Sequence, residues 1–399
     1  MKKLLSALLV LGMLLLLLVA WQYSGAEHRE AKVRDTFGQP TVTDTVTDPP
    51  EPIETTAPVE TTALVETTAV TTVETQSAPA EIEYPDTVLL FGGDVNLDAD
   101  YGSWSAYAAA QRNLSACIDA ALLTEMQKAN IFMLGNVFAF TDSTQPENKR
   151  YTFRTDAENV SVLQEMGTDI VSLANNHVYD YGAAGLTDTL AALDNAGIIH
   201  VGAGENITEA SRVRYGTVNG VRIAYTAAMR SEKYVNTPEA TENSSGVMKM
   251  YTLDAYTEVI RQAAENSDFV VAYVHWGTEN SLVLEQEQID GAHALIDAGA
   301  DIVIGSHTHT LQTVEYYNGK PIFYSIGNLW SDLQQTESAL VKVTLASSGE
   351  VKSIELIPCE NSDGMTRSAS AESRAAILER LNQSATASIL ADGIVTEKQ

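Results

Sequence analysis

The sequence predicts an α/β fold with antiparallel strands added towards its end. Three observations carry this. From residue 86 onward, short apolar runs of strand length alternate with helical segments. Five strand ends carry polar, ligand-type residues: Gly92-Gly93-Asp94-Val95-Asn96, Gly135-Asn136-Val137-Phe138, Asn175-Asn176-His177, His275-Trp276-Gly277-Thr278-Glu279 and Gly305-Ser306-His307-Thr308-His309. Ligand-type residues at so many strand ends point to one site at the carboxyl edge of a sheet, where α/β folds place their chemistry. Near the end, the runs Pro321–Ser325 and Leu340–Leu345 follow each other with no helix between them.

The N-terminal part does not read as globular. Lys2 and Lys3 precede an apolar run from Leu4 to Ala20, near the lower limit for a helix that spans a bilayer. Ser24-Gly25-Ala26 would pass as a small-residue cleavage site. Residues 1–26 therefore read as a signal-anchor in the cell membrane, basic end inside and the rest outside, or as the signal peptide of a secreted chain. No cysteine lies near this segment, which excludes a lipoprotein anchor. Residues 36–84 are rich in Thr, Val, Pro, Glu and Ala, with a six-residue repeat at Glu54-Thr-Thr-Ala-Pro-Val, Glu60-Thr-Thr-Ala-Leu-Val and Glu66-Thr-Thr-Ala-Val. That composition reads as a disordered stalk, with a reach of roughly 150 Å if extended like polyproline II.

The folded domain is expected over residues 86–360. Asp86–Asp94 reads as a buried strand, Ala116–Ala129 as a helix and Ile131–Leu134 as a strand. Val160–Met166 reads as a helix, Asp169–Leu173 as a strand, and Thr187–Ala196 as an amphipathic helix stopped by Gly197. Ile198–Val201 is a strand, and Arg212–Ala227 a hairpin turning at Asn219-Gly220. Residues 230–250 read as loop. Tyr256–Asn266 and Glu287–Ala298 are helices after which the strands Phe269–Val274 and Asp301–Ile304 fall. Residues 361–399 form a tail with a helix near Glu372–Leu381.

Acids outnumber bases by 53 to 24, for a net charge of −29. So acidic a chain excludes nucleic acid as a partner class and repels an anionic polymer at long range unless metals or a local basic cluster offset the field. Cys117 and Cys359 are the only cysteines. They allow one pairing in an oxidising exterior but form no disulfide framework.

The order Asp94, Asn136, Asn176-His177, His275, His307-x-His309 resembles that of the calcineurin-like metallophosphoesterases. Asp180-Tyr181-Gly182, His275-Trp276-Gly277-x-Glu279 and Tyr324-Ser325-Ile326-Gly327-Asn328 bring it closer to a bacterial relative, the capsule-synthesis or poly-γ-glutamate-synthesis family of the CapA type. The resemblance spans about residues 86–330 and implies a metallophosphoesterase-like layered α/β sandwich. It also implies a divalent metal (Mn, Zn, Fe or Mg), as one or two ions. His309 and Asp94 would serve one ion, and Asn176, His275 and His307 the other, with Asn136 at the bridging position. His177 would be the uncoordinated acid, with Asp180 orienting it.

Departures from the pattern bear on the metal. Asn96 stands where many phosphoesterases have a histidine, Asn136 carries no bridging charge, and Phe138 replaces a usual glutamate. Two divalent ions close together need a carboxylate between them, so one ion, a weak pair and none all stay open. Glu279, Asp98 and Asp100 are candidates for the missing carboxylate. Asn328 is a further candidate, and Trp276 reads either as a ligand-stacking ring or as a packed one. Arg150 and Arg154, in the dense basic stretch 149–154, read either as a solvated face or as a grip on a substrate anion.

Two functions follow from the resemblance. One is an extracellular, membrane-anchored accessory protein of capsule biosynthesis, acting on a poly-γ-glutamate-type polymer beside membrane-bound synthase subunits. The other is a metal-dependent hydrolase of phosphoester or amide bonds in an extracellular polymer or the cell wall.

Overall fold

Two sheets, each backed by helices, form the domain. The computed structural model describes Lys32, Thr36, Phe37 and residues 84–230, 237–331 and 335–399. The expected membrane segment at residues 1–26, and the expected stalk apart from Thr36, Phe37 and Tyr84, lie outside the described residues. Among the described residues no helix is long and apolar enough to cross a membrane.

The first half of the chain winds parallel strands: β1 (Thr87–Val95), α1 (Ala120–Lys128), β2 (Ile131–Asn136), α2 (Val160–Met166), β3 (Ile170–Ser172), α3 (Gly182–Asn195) and β4 (Ile199–Val201). The second half supplies β5 (Arg214–Val218), β6 (Val221–Arg230), α4 (Leu253–Glu265), β7 (Phe269–Trp276), α5 (Gln286–Ala298), β8 (Ile302–Ser306), β9 (Val314–Tyr317) and β10 (Lys320–Phe323). The end adds β11 (Asn328–Trp330), β12 (Thr336–Leu345), β13 (Val351–Ser362), β14 (Met365–Ser368) and α6 (Ala371–Leu381). One sheet runs β14-β13-β12-β1-β2-β3-β4, with β11 also paired to β1; the other runs β9-β10-β8-β7-β6-β5. Of the two strands expected near the end, β12 is an antiparallel addition, extended by β13 and β14, which were not expected; β10 pairs antiparallel with β9 but parallel with β8.

Strand β7 shows why the layers form. Its Val271 and Tyr273 belong to the core between the sheets, whereas Val270, Ala272, Val274 and Trp276 pack with Tyr256, Ile260 and Ala263 of α4 and with Ala292 and Leu295 of α5. Burial on both faces explains a nearly unbroken apolar run. Helix α5 starts at a reciprocal cap between Glu285 and Gln288 and stops at Gly299, whose φ of 117° favours glycine. The β5–β6 turn has Asn219 and Gly220 at φ 48° and 85°, the conformation a two-residue hairpin loop needs.

Several boundaries differ from expectation. Helix α3 begins at Gly182, five residues before the expected start at Thr187; Gly182-Ala183-Ala184 has little to bury and so leaves no apolar signal. Strand β13 runs through the expected domain end at 360, and Ile377, Leu378, Leu381, Ile389 and Val395 join the main core. The tail is thus part of the domain. Phe37, within the expected stalk, packs against the core with its ring 6.0 Å from Tyr225, and Lys32 Nζ lies 2.7 Å from Asp169 Oδ2. Cys117 and Cys359 are free thiols, so the pairing they allowed is not formed; each is enclosed by apolar side chains.

Candidate functional site

All five polar strand ends arrive at one edge. Asp94 lies on β1, Asn136 ends β2, Asn175-Asn176-His177 follows β3, His275 lies on β7, and His307 and His309 follow β8. Between them is a cavity of about 220 Å³ lined by Asp94, Asn96, Asn176, His177, His275, Glu279, His307, His309 and Asn328. Tyr101, Tyr151 and Phe153 add an aromatic wall.

Asp94 is almost fully buried. Its Oδ2 accepts the His307 N–H at 3.0 Å, while Oδ1 is buried with no hydrogen-bond partner. Gly135 on the neighbouring strand makes room for that oxygen: a Cβ there would come within 2.3 Å of it. Burial pushes the Asp94 carboxyl up to about 6, against the opposing pull of the His309 charge and the His307 N–H.

His275 and His307 form a buried pair, Nε2 to Nδ1 at 3.0 Å. His275 is further held by Ser306 Oγ at 2.9 Å on Nδ1 and by Asn176 Oδ1 at 3.0 Å on Nε2. Burial and the neighbouring ring hold His275 well below the usual histidine value; burial, followed by the His309 charge, takes His307 down to about 3. Both are neutral imidazoles, the form that ligates metals.

His307 and His309 are two apart and would point to opposite sides on an extended chain. Here both have positive φ, 89° and 59°, and both line the cavity. Such backbone is uncommon for a non-glycine residue and concentrates at functional sites. His309 Nδ1 meets Asn328 Oδ1 at 2.9 Å, and Nε2 lies 3.7 Å from Glu279 Oε1. Burial alone would lower His309, but Glu279, Asn328 and Asp94 together outweigh it and lift the ring to about 9.

On the opposite wall, His177 Nδ1 contacts Asp180 Oδ2 at 2.7 Å, and Phe153 lies against the imidazole with ring centres 4.4 Å apart. Asn175 Oδ1 accepts the N–H groups of His177 and Val178, which fixes the turn that aims these residues. Asn136 sits behind the wall: its Nδ2 donates to Phe138 O, and its Oδ1 is buried without a partner.

Other candidates are placed elsewhere. Trp276 is fully buried beneath α5, stacks on Tyr324 and donates to the Tyr324 carbonyl at 2.7 Å. It is a packed ring, because strand alternation turns it away from the face that His275 presents. Arg150 is exposed over Tyr151, and Arg154 donates to Thr141 O and pairs with Asp156. Neither lines the cavity. Asp98 accepts the N–H groups of Asp100 and Arg154, so it supports the loop and supplies no extra site carboxylate. Sequence reasoning missed Ser306, Lys149 and the aromatic wall. The basic stretch pointed to the right loop, but its buried cation is Lys149, whose side chain is 7% exposed.

Two neutral imidazoles and a carboxylate with an unpartnered buried oxygen fit a divalent ion in chemistry. A tight carboxylate-bridged pair does not fit, since the bridging position is the neutral Asn136. The fit is one of donor type alone: among the described residues, no three His, Cys, Asp or Glu side chains stand grouped, as they are placed here, to hold a metal ion.

Residues 88–333 match the family described as Bacterial capsule synthesis protein PGA_cap. The chain belongs to this family. It is 35% identical over 227 residues to the capsule biosynthesis protein CapA of Bacillus anthracis, covering 55% of this chain and 54% of that protein. It is 34% identical over 229 residues to the PGA biosynthesis protein CapA of Bacillus subtilis, covering 56% and 60%. The chain thus spans 54–60% of the length of these two relatives. Among solved structures it is similar to a phosphatase from Mycoplasma pneumoniae, with 11% identity and a TM-score of 0.46 over 70% of this chain and 95% of that one.

Proposed function

We propose that this PGA_cap chain is an accessory protein for biosynthesis of an anionic, poly-γ-glutamate-type capsule polymer, held outside the cell membrane by its N-terminal segment beside membrane-bound synthase subunits. The observation that carries this reading is the family match over residues 88–333, supported by relatives named for capsule and PGA biosynthesis. Deleting the gene in its own host and measuring cell-associated γ-glutamyl polymer tests it. Loss of polymer, restored by the intact gene, supports the role; an unchanged polymer yield counts against it. Protease treatment of intact cells tests the outward placement.

The site also favours a second reading, metal-dependent hydrolysis of a phosphoester or amide bond in the polymer or the wall. Its support is the cavity joining the neutral His275–His307 pair, the open Asp94 Oδ1 and the His177–Asp180 pair. Asp94, Asn176, His275, His307 and His309 would hold a Mn, Zn, Fe or Mg ion. When bound, the ion would polarise a phosphoryl or carbonyl oxygen and acidify a water. His177, oriented by Asp180, would give a proton to the leaving group. Metal analysis and assays of bis(p-nitrophenyl) phosphate and γ-glutamyl hydrolysis separate the readings: turnover lost with metal removal supports the enzyme, and none in folded, metal-supplied protein leaves the accessory role alone.

A further inference from the structure

Asp180 is fully buried, and three donors from different places reach its carboxylate: His177 Nδ1 at 2.7 Å, the Phe153 N–H at 2.8 Å and the Lys149 ammonium. Lys149 has a second acceptor, the backbone carbonyl of Asn176. One buried cation therefore touches both the carboxylate that orients His177 and the peptide unit that joins Asn176 to His177. Asn176 in turn holds His275 through its side-chain oxygen.

The chain around Lys149 is irregular, yet it is fastened here at several points. The Glu147 N–H donates to the Asp180 carbonyl, and the Lys149 N–H donates to the Glu147 carbonyl, both at 2.8 Å. A lysine kept only for solubility would hold its ammonium in water; a lysine whose side chain is 7% exposed is costly to bury and is kept where its partners are fixed.

We infer that Lys149 is a positioning residue for the His177–Asp180 pair. Its ammonium ties the Asp180 carboxylate to the Asn176–His177 peptide, so that the imidazole keeps Nδ1 on Asp180 and presents Nε2 to the cavity. The consequence for turnover rests on the hydrolase reading; the consequence for His177 does not. A positioned general acid contributes about a hundredfold to ten-thousandfold to a rate, and a misoriented His177 is expected to lose part of that.

The test uses the full chain with ¹⁵N-labelled histidine, with His177→Gln to assign the signal. The wild type is expected to show His177 as one tautomer, protonated at Nδ1. In Lys149→Met that signal is expected to become a mixture of tautomers, and Lys149→Arg, which keeps the cation, to retain most of the wild-type pattern. A single unchanged tautomer in folded Lys149→Met overturns the inference. If that variant does not fold, Lys149→Gln, which keeps a neutral donor, supplies the same comparison. Where the wild type turns over bis(p-nitrophenyl) phosphate, Lys149→Met is expected to lower kcat and leave KM nearly unchanged. A wild type without turnover counts against the hydrolase reading and leaves the tautomer comparison standing.

Discussion

His275 and His307 face each other, Nε2 to Nδ1 at 3.0 Å, with both rings almost wholly buried. That spacing has room for one proton, so two charged rings would repel, and burial already keeps both neutral. Such a pair is ready for a metal without first losing protons. Wild-type protein loaded with Mn²⁺ or Zn²⁺ and desalted is expected to keep stoichiometric metal, and His307→Ala to lose most of it. Elemental analysis decides this, and equal retention by the variant removes His307 from the ligand set. A chelator should also lower the Tm of the loaded wild type.

The Glu279–His309 pair sets a pH signature. His309 is lifted from 6.5 to about 9, so its contribution to stability is complete below about 6.5 and is lost as pH rises through about 9. Glu279 is lowered from 4.5 to about 2, chiefly by His309, so its contribution is present above about 4.5 and lost as pH falls through about 2. The two overlap fully between pH 4.5 and 6.5. Glu279→Gln should therefore lower Tm most in that window and converge on the wild type above about pH 9. A drop of equal size at every pH would mean that Glu279 acts through packing. Both side chains are a third to a half exposed, so water screens the pair and the effect is modest.

Trp276 offers a direct contrast with its neighbour. As a packed ring it should cost about 3–5 kcal/mol of stability when cut to alanine, seen as a lower denaturation midpoint. Trp276→Phe should lose mainly the bond to the Tyr324 carbonyl, about 1 kcal/mol. A variant that keeps full stability yet loses ligand affinity would return Trp276 to the site.

Lys32 and Phe37 set a further expectation. Lys32→Ala takes an ammonium from the buried Asp169 carboxylate, at a cost of about 1–2 kcal/mol. Phe37→Ala removes a ring packed over Gly216 and Tyr225. A chain starting at residue 84 should melt lower than one starting at residue 28. Equal melting temperatures would show that the contacts add nothing.

Much of the fold was legible because burial leaves a pattern. Strand β7, apolar on both faces, and α5, bounded by Glu285 and Gly299, announce themselves. Strand β13 did not: Glu355, Pro358 and Glu360 interrupt its apolar residues, and only pairing with β12 and β14 makes it a strand. At the site, the strand-end residues were readable because few other positions combine glycine, histidine and amide side chains. Their partners were not. Lys149 lies 31 positions from Asp180, and nothing local in the sequence says that its ammonium turns inward. The positive φ values of His307 and His309 were equally hidden, since neither is a glycine or an asparagine.

The β5–β6 hairpin has one more consequence. Phe37 lies against Gly216 and Tyr84 against Gly220, with Asn219 donating to the Asp86 carbonyl, so two points of the chain far apart in sequence meet the domain at a single hairpin. A side chain introduced at Gly216 would strike the Phe37 ring and one at Gly220 the Tyr84 ring, so this one hairpin records, through two glycines, both contacts at once.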